Sequence, residues 1–325
     1  MKKTLGIGNA LVDVMTILDD DGILEKFSLP KGSMQLVDEA KSKLVKSETL
    51  NFRRSLASGG SAANTIHGMA MLGSETAFIG SVGKDELGDF FENDMKNAGI
   101  KTILSHRDSP TGTAVALISP DYERTFATHL GAAVELGEED LNPKDFAGYN
   151  ILYLEGYLIY NKPLIDAACR FARNENMKIA LDLASYNVVE SSLADFKEII
   201  EKYVDILFAN EDEARAYTGM DPEGALDIIS KTCGVAVVKV GSEGSWIKSG
   251  LEVIKIGTSE VNVKDTTGAG DLYASGFLYG YSIGKNLEVC GQYGSLIAGK
   301  VIEILGARMD ISKWQEIKDL ISEIG

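Results

Sequence analysis

Short apolar runs alternate along this chain with longer stretches in which apolar positions recur at the helical period. Leu5 to Gly8, Ala77 to Val82, Ile151 to Leu154, Ile179 to Leu183, Ile206 to Ala209 and Ala236 to Val240 predict buried strands. The helical period predicts helices over Ser61 to Leu72, Glu86 to Ala98, Leu164 to Asn174, Leu193 to Tyr203, Gly268 to Tyr281, Leu287 to Leu305 and Ile311 to Ile324. Strand and helix in alternation imply a parallel sheet covered on both faces, an α/β fold. Two regions, about 12–37 and 103–130, break the rhythm with strand-like alternation and no long helix, as in Thr113-Ala114-Val115-Ala116-Leu117-Ile118. They predict a small β-sheet that packs together as a lid inserted into the larger α/β part. No repeat, low-complexity tract or Pro-rich linker is visible, so residues 1–325 are expected to form one domain.

Composition narrows the partners. With 325 residues, 45% of them hydrophobic, the chain can bury one large core. A formal net charge of −16 repels nucleic-acid backbones and anionic membrane surfaces, so the partners should be small molecules. Cys169, Cys233 and Cys290 are far apart in apolar stretches and lack pairing or metal spacing, which fits a reducing compartment. The start Met1-Lys2-Lys3 is followed by the polar interruptions Asn9 and Asp13 rather than by a secretory signal, and no run approaches the roughly 20 apolar residues of a membrane span. A cytoplasmic location is expected, as monomer or homodimer.

The densest chemistry lies in Asp265-Thr266-Thr267-Gly268-Ala269-Gly270-Asp271, directly before an apolar helical run. Small residues opening a helix leave N–H groups unpaired, and these converge with the positive end of the helix dipole on a point suited to an anion. A carboxylate there, Asp271, would be repelled by a resting phosphate but makes sense as a base for a hydroxyl attacking phosphorus. The plainer alternative is that the glycines allow a turn and Asp271 charges the first turn. A second element, Ala57-Ser58-Gly59-Gly60-Ser61-Ala62-Ala63-Asn64-Thr65, also opens a helix. Gly59 and Gly60 lying against a ligand, with Asn64 offering donor and acceptor, suit a polyhydroxylated molecule. Asn9 and Asp13 place polar side chains at the mouth of the sheet, where substrate hydroxyls or ordinary turn contacts would satisfy them.

These motifs, with Phe78-Ile79-Gly80-Ser81-Val82-Gly83-Lys84-Asp85, Pro110-Thr111-Gly112-Thr113 and Val204 to Ala214, follow one another in an order that resembles the ribokinase or PfkB family of ATP-dependent kinases, its adenosine-kinase branch above all. The resemblance runs nearly end to end. It implies a ribokinase-like three-layer αβα sandwich with a mainly parallel central sheet, and a small β-sheet lid closing over the acceptor. It implies that Asp13 holds acceptor sugar hydroxyls with Asn9 assisting, and that Gln35 lies where the adenosine-kinase branch contacts its substrate, with Leu11 nearby as an apolar surface for a base. It assigns Asn210-x-x-Glu213 to metal and phosphate positioning, with Glu213 reaching Mg²⁺ through water, and places the ATP nucleotide against Gly241, Ser242, Gly244, Thr266, Ser295 and Ala298. It also allows a monovalent-cation site, potassium being the candidate, near Asp265, Thr267 and the Gly306 loop.

Several assignments stay open. Lys239 either neutralises phosphate charge or is a solvated strand-end lysine, and Arg124 either reaches the transferring phosphoryl group or forms a lid-surface salt bridge. Tyr157 and Tyr186 either stack on a purine or serve as core and rim. His67, His106 and His129 do not cluster, and no P-loop signature is present. In-line transfer from ATP to a primary hydroxyl is the expected reaction, Asp271 acting as base and Gly268, Ala269 and Gly270 as anion hole. Adenosine is the favoured acceptor. A sugar kinase for ribose, fructose or 2-keto-3-deoxygluconate is the alternative, and a non-catalytic sugar- or nucleoside-binding regulator is a second, although such a protein would be expected to lack Asp271 or the anion-hole glycines.

Overall fold

A computed structural model describes residues 2–324; Met1 and Gly325 lie outside it. The chain opens with strands β1 (Thr4–Ile7) and β2 (Leu11–Ile17), helix α1 (Gly22–Lys26), β3 (Met34–Leu36), α2 (Glu39–Glu48), β4 (Arg53–Gly59) and α3 (Ser61–Met71). It continues through β5 (Thr76–Gly83), α4 (Glu86–Asn97), β6 (Lys101–Arg107), β7 (Gly112–Ile118), β8 (Arg124–His129) and β9 (Ile151–Glu155). Next come α5 (Lys162–Asn174), β10 (Lys178–Asp182), α6 (Tyr186–Ser191), α7 (Leu193–Tyr203), β11 (Ile206–Asn210), α8 (Glu211–Thr218) and α9 (Pro222–Thr232). The last part is β12 (Val235–Lys239), β13 (Ser245–Ser249), β14 (Glu252–Ile256), α10 (Ala269–Ser282), α11 (Leu287–Val301) and α12 (Ile311–Ile324).

Nine strands form one sheet in the order β14-β13-β12-β11-β10-β9-β1-β5-β6. Every pairing from β12 to β6 is parallel, and β13 and β14 extend the edge antiparallel. Because successive side chains point to opposite faces, each apolar strand feeds two cores. Leu152, Leu154, Ile179, Leu181, Leu207, Ala236 and Val238 pack with α5, α7, α8 and α9. Ile151, Tyr153, Ala180, Ile206, Phe208 and Val237 pack with α3 and α10 on the other side. The result is a three-layer αβα sandwich. Parallel strands end together, so the carboxyl ends of β1, β9, β10, β11 and β12 open on one edge, where the first turns of α3 and α10 also lie.

A second sheet of five strands, in the order β3-β8-β7-β2-β4, forms the smaller part. Its boundaries differ from the predicted ones. Residues 101–107 pair with β5 in the large sheet, whereas Arg53–Gly59, outside both predicted segments, pairs with β2. The reason lies in exposure: β6 is a half-buried edge strand that alternates as a lid strand would, and β4 buries only Ala57, Ser58 and Gly59. Helix α11 also stops at Val301 rather than Leu305. The carbonyl of Ile302 is turned over to the amides of Lys264 (2.8 Å) and Asp265 (3.2 Å), and Gly306 follows at φ +81°.

The Ser81 to Gly88 motif joins the two sheets. The Asp85 carboxylate accepts from Gly88 N–H (2.9 Å), Thr111 N–H (2.8 Å) and Thr111 Oγ1 (2.6 Å), while Thr111 Oγ1 accepts from Gly83 N–H (2.9 Å). The first turn of α4 is thereby tied to the start of β7. On the site side of the sheet, Phe208 and Phe277 meet edge to face with centroids 5.3 Å apart, both fully buried. Phe277→Ala should cost about 3–5 kcal/mol, since the rigid sheet collapses poorly around the void; a urea midpoint that drops at unchanged slope will report it.

Candidate active site

Asp271 stands in the first turn of α10, and α3 lies across from it. Ser61 Oγ donates to Asp271 Oδ1 (2.7 Å), Asn64 Nδ2 donates to Oδ2 (2.9 Å), and Thr65 Oγ1 donates to the Asp271 carbonyl (3.1 Å). Two stretches some two hundred residues apart in sequence thus meet at one carboxylate. Burial pushes the Asp271 carboxyl up to about 6, against the pull of these two hydrogen bonds and of Lys239. Asn64 Oδ1 is buried and takes no hydrogen bond.

The helix opening keeps its anion-binding character. Gly268 caps α10 at φ +75°, and a Cβ there would lie 2.6 Å from the Ala307 methyl. Of the three amides expected to form the hole, Ala269 N–H is committed to the Thr266 carbonyl (3.1 Å). The N–H groups of Gly268 and Gly270, at the opening of the helix, are the remaining candidates for that hole.

Arg124 does not lie on the outer surface of the small sheet. Its Nη1 meets Asp265 Oδ2 at 2.6 Å and donates to Thr267 Oγ1 (3.0 Å), with both side chains of the pair under a tenth exposed. Nε and Nη2 of Arg124 are buried without a partner. The remaining Asp265 contacts are Thr267 N–H to Oδ1 (3.0 Å) and Gly306 N–H to Oδ2 (2.6 Å). Asp265 and Thr267 were candidates for a monovalent cation. In this structure the Asp265 carboxylate is held by the Arg124 guanidinium and two amides, and the Thr267 hydroxyl accepts from Arg124.

On the acceptor side, Asp13 lies over Gly59, where any Cβ would overlap its carboxylate, and burial pushes its pKa up to about 6 against the charge of Arg308. Leu11 pairs in register with Gly59 on β4 and with Gly112 on β7, and Gly60 is held at φ +100° against the Asn9 carbonyl. Asn9 spends both its N–H (2.9 Å) and its Nδ2 (2.7 Å) on Glu155 Oε1, and Glu155 Oε2 accepts from Ala62 N–H (2.8 Å). This fully buried Glu155, pushed up to about 7 by burial, links β1, β9 and α3 beneath the site. Gln35 Nε2 donates to Ser33 Oγ (3.1 Å) on the short strand β3. Tyr157 packs against the core, while Tyr186 is 47% exposed at the start of α6.

On the donor side, Asn210 and Glu213 form a reciprocal cap at the end of β11. Glu213 N–H donates to Asn210 Oδ1 (2.9 Å), while Asn210 N–H and Nδ2 donate to the two Glu213 oxygens (2.8 Å each). Glu213 is buried, and burial lifts it to about 7. These are hard oxygen donors, and no group of three His, Cys, Asp or Glu gathers among the described residues. That set suits magnesium carried largely by water and phosphate, and would not hold a metal by itself. Gly241 and Gly244 adopt φ +53° and +98° around Ser242. Ser242 O accepts from Thr258 Oγ1 (2.8 Å) and Ser295 Oγ donates to Gly257 O (2.8 Å), so α11, with Ala298 one turn on, borders the 241–244 turn through the 257–258 strand end. Lys239 is no solvated lysine: its Nζ meets Asp182 Oδ2 at 2.8 Å.

Glu155, Asp182 and Ser61 escaped sequence reasoning as site residues. Each had a faint signal: the two acids end apolar runs destined for neighbouring parallel strands, and Ser61 follows the Gly59-Gly60 pair.

Comparison with known proteins places this geometry. A family model described as pfkB family carbohydrate kinase matches residues 33–314. The adenosine kinase of Sinorhizobium meliloti superposes with a TM-score of 0.88 at 36% identity, over 98% of this chain and 99% of that one. A probable sugar kinase from Rhizobium etli gives 0.89 at 35% identity, over 100% and 99%. The 5-dehydro-2-deoxygluconokinase of Bacillus subtilis is 28% identical over 84% of this chain and 89% of its own length.

Asp13, Glu155, Glu213 and Asp271 all favour protonation in the folded chain, with values of about 6 or 7. Between pH 8 and 6 the folded chain therefore takes up protons that unfolded carboxylates do not, and stability rises as pH falls. His67, held neutral well below the usual imidazole range by burial, removes part of that gain because it titrates only when unfolded. The thermal midpoint of the ligand-free protein should be higher at pH 6 than at pH 8; the opposite order would contradict this balance of charges.

Proposed function

The chain belongs to the pfkB family of carbohydrate kinases and is an ATP-dependent phosphotransferase with an alcohol acceptor, and we propose that this acceptor is the primary hydroxymethyl group of a nucleoside, adenosine. The observation that carries the chemistry is the Asp271 carboxylate, held by Ser61 and Asn64 beside the open amides of Gly268 and Gly270. The acceptor hydroxyl reaches Asp271 by taking over one of those two hydrogen bonds, donates its proton to the carboxylate, and attacks the γ-phosphorus in line as the bond from that phosphorus to the β–γ bridging oxygen breaks and ADP leaves. The N–H groups at the start of α10 meet the charge that develops on the transferring oxygens. Asp13 accepts from the acceptor's sugar hydroxyls, and Asn64 Oδ1 takes another. Leu11 and Gln35 face the base.

On the donor side, Gly241, Ser242, Gly244, Ser295 and Ala298 border the adenosine of ATP, Thr266 lies with its phosphates, and Asn210 with Glu213 would hold the waters of Mg²⁺. When bound, that ion neutralises phosphate charge. Arg124 serves as the latch of the lid: its bond to Asp265 ties β8 to the loop that precedes the anion hole, and its unpartnered Nε and Nη2 are available to the transferring phosphoryl group. The nucleoside reading is supported by the 36% identity with the Sinorhizobium meliloti adenosine kinase across nearly the whole chain. The likeness to a probable sugar kinase at 35% identity supports a ketose or sugar-acid acceptor as the second reading.

A coupled assay of ADP release with Mg-ATP against adenosine, inosine, guanosine, ribose, fructose and 2-keto-3-deoxygluconate separates the two: adenosine should give the highest kcat/KM, and a higher value for any free sugar replaces the nucleoside reading. Asp271→Asn should lower kcat by about 10²–10⁴-fold while the acceptor KM changes little, as expected for loss of a general base. Since the base must be ionised and its folded value is about 6, kcat/KM for the acceptor should fall on the acid side of that value.

A further inference from the structure

Four carboxylates gather under the site from different elements: Glu155 at the end of β9, Asp182 at the end of β10, Glu213 on α8 and Asp271 on α10, with Asp13 of β2 also felt at Asp271. Three cations face this group: Lys239 of β12, Arg308 after α11 and, at Asp13, Arg124 of β8. Tyr153 and Tyr157 complete the surroundings and remain neutral, burial raising both phenols. Arg308 is turned toward the edge of the small sheet, where its Nη2 donates to Ser58 Oγ (2.8 Å), itself bonded to Asp94 (2.6 Å). Lys239 is therefore the cation directly under α10.

The geometry of that lysine is tightly determined. Its Nζ lies 2.8 Å from Asp182 Oδ2, and the side chains of the pair are only 15% and 5% exposed. Asp182 is itself fixed, because its Oδ1 accepts from the N–H of Ala184, a non-glycine residue held at φ +67°. A Cβ on Gly270 would come within 3.0 Å of the ammonium, so Lys239 lies against the first turn of α10 at the residue next to Asp271. A side chain at position 270 would press on the Lys239 ammonium.

We propose that Asp182 and Lys239 are a positioning pair for the base: Asp182 anchors the ammonium of Lys239 beneath the first turn of α10, and the anchored charge keeps the Asp271 carboxylate ionised among its acidic neighbours. This rests on the assignment of Asp271 as the base. The physical reason is the sign of the local charge. Without Lys239, burial and repulsion from Asp182, Glu213 and Glu155 all act in the direction of protonating Asp271, and a protonated Asp271 cannot accept the acceptor's proton. A lysine placed only to fill the fold would leave the ionisation of Asp271 unchanged.

The test compares wild type, Lys239→Gln, Lys239→Arg and Asp182→Asn. In Lys239→Gln the acid limb of kcat/KM for the acceptor should move up by about one pH unit, the usual size of a neighbouring-charge effect. Lys239→Arg, which keeps the charge, should restore the limb most of the way. Asp182→Asn separates anchoring from simple proximity. Losing the charge of Asp182 would by itself move the limb down, so an upward move reports an ammonium released from its place, while no move or a downward one overturns the anchoring. Carboxyl ¹³C NMR titration, with the Asp271 signal assigned through Asp271→Asn, measures the same shifts without any acceptor. It therefore stands even if the acceptor panel gives no turnover, an outcome that would count against the kinase reading alone. An Asp271 titration unchanged in Lys239→Gln would overturn the proposal.

Discussion

A carboxylate with its charge cannot stay inside a protein unless something holds it, and the arrangement of this molecule follows from that constraint at Asp271. The side chain lies at the seam of α3 and α10, deep enough for burial to raise it to about 6. Two kinds of support meet there: hydroxyl and amide donors from α3, and the ammonium of Lys239. Each comes from a different part of the chain, so the site exists only when the layers are assembled.

The sheet is what makes this assembly possible. Parallel strands bring their carboxyl ends to one edge, and in this chain those ends carry Glu155, Asp182, Asn210 and Lys239 in neighbouring rows. The apolar bodies of the same strands are divided between two cores and contribute stability, while the single polar residue at each end is left for chemistry. Glycines let the elements approach: Gly8 leaves room for the Glu155 carboxylate, Gly59 for that of Asp13, and Gly270 for the Lys239 ammonium.

The small sheet joins this edge through two separate devices. Asp85 fastens the entry to β7 by accepting three hydrogen bonds from Gly88 and Thr111, and Thr111 Oγ1 in turn accepts from Gly83 N–H. Arg124 fastens β8 to Asp265 and Thr267 at the loop that opens α10. The second device is a guanidinium whose Nε and Nη2 are buried without a partner.

Much of this was legible in the order of residues. Alternating strand and helix periods fixed the parallel sheet and its covering helices, and bare glycines before an apolar helix marked the opening of α10 where Asp271 stands, because both signals are local consequences of backbone geometry. The strands of the small sheet were harder to read, since β4 is nearly all polar or small and β6 alternates like a lid strand while serving as a sheet edge. What only the tertiary structure decided was partnership: that Asn9 answers to Glu155, that Arg124 neutralises Asp265, and that Lys239 turns to Asp182 instead of to solvent. A lone acid or base in a sequence carries no sign of the charge that will face it, for that charge arrives from a distant strand and only burial makes the two inseparable.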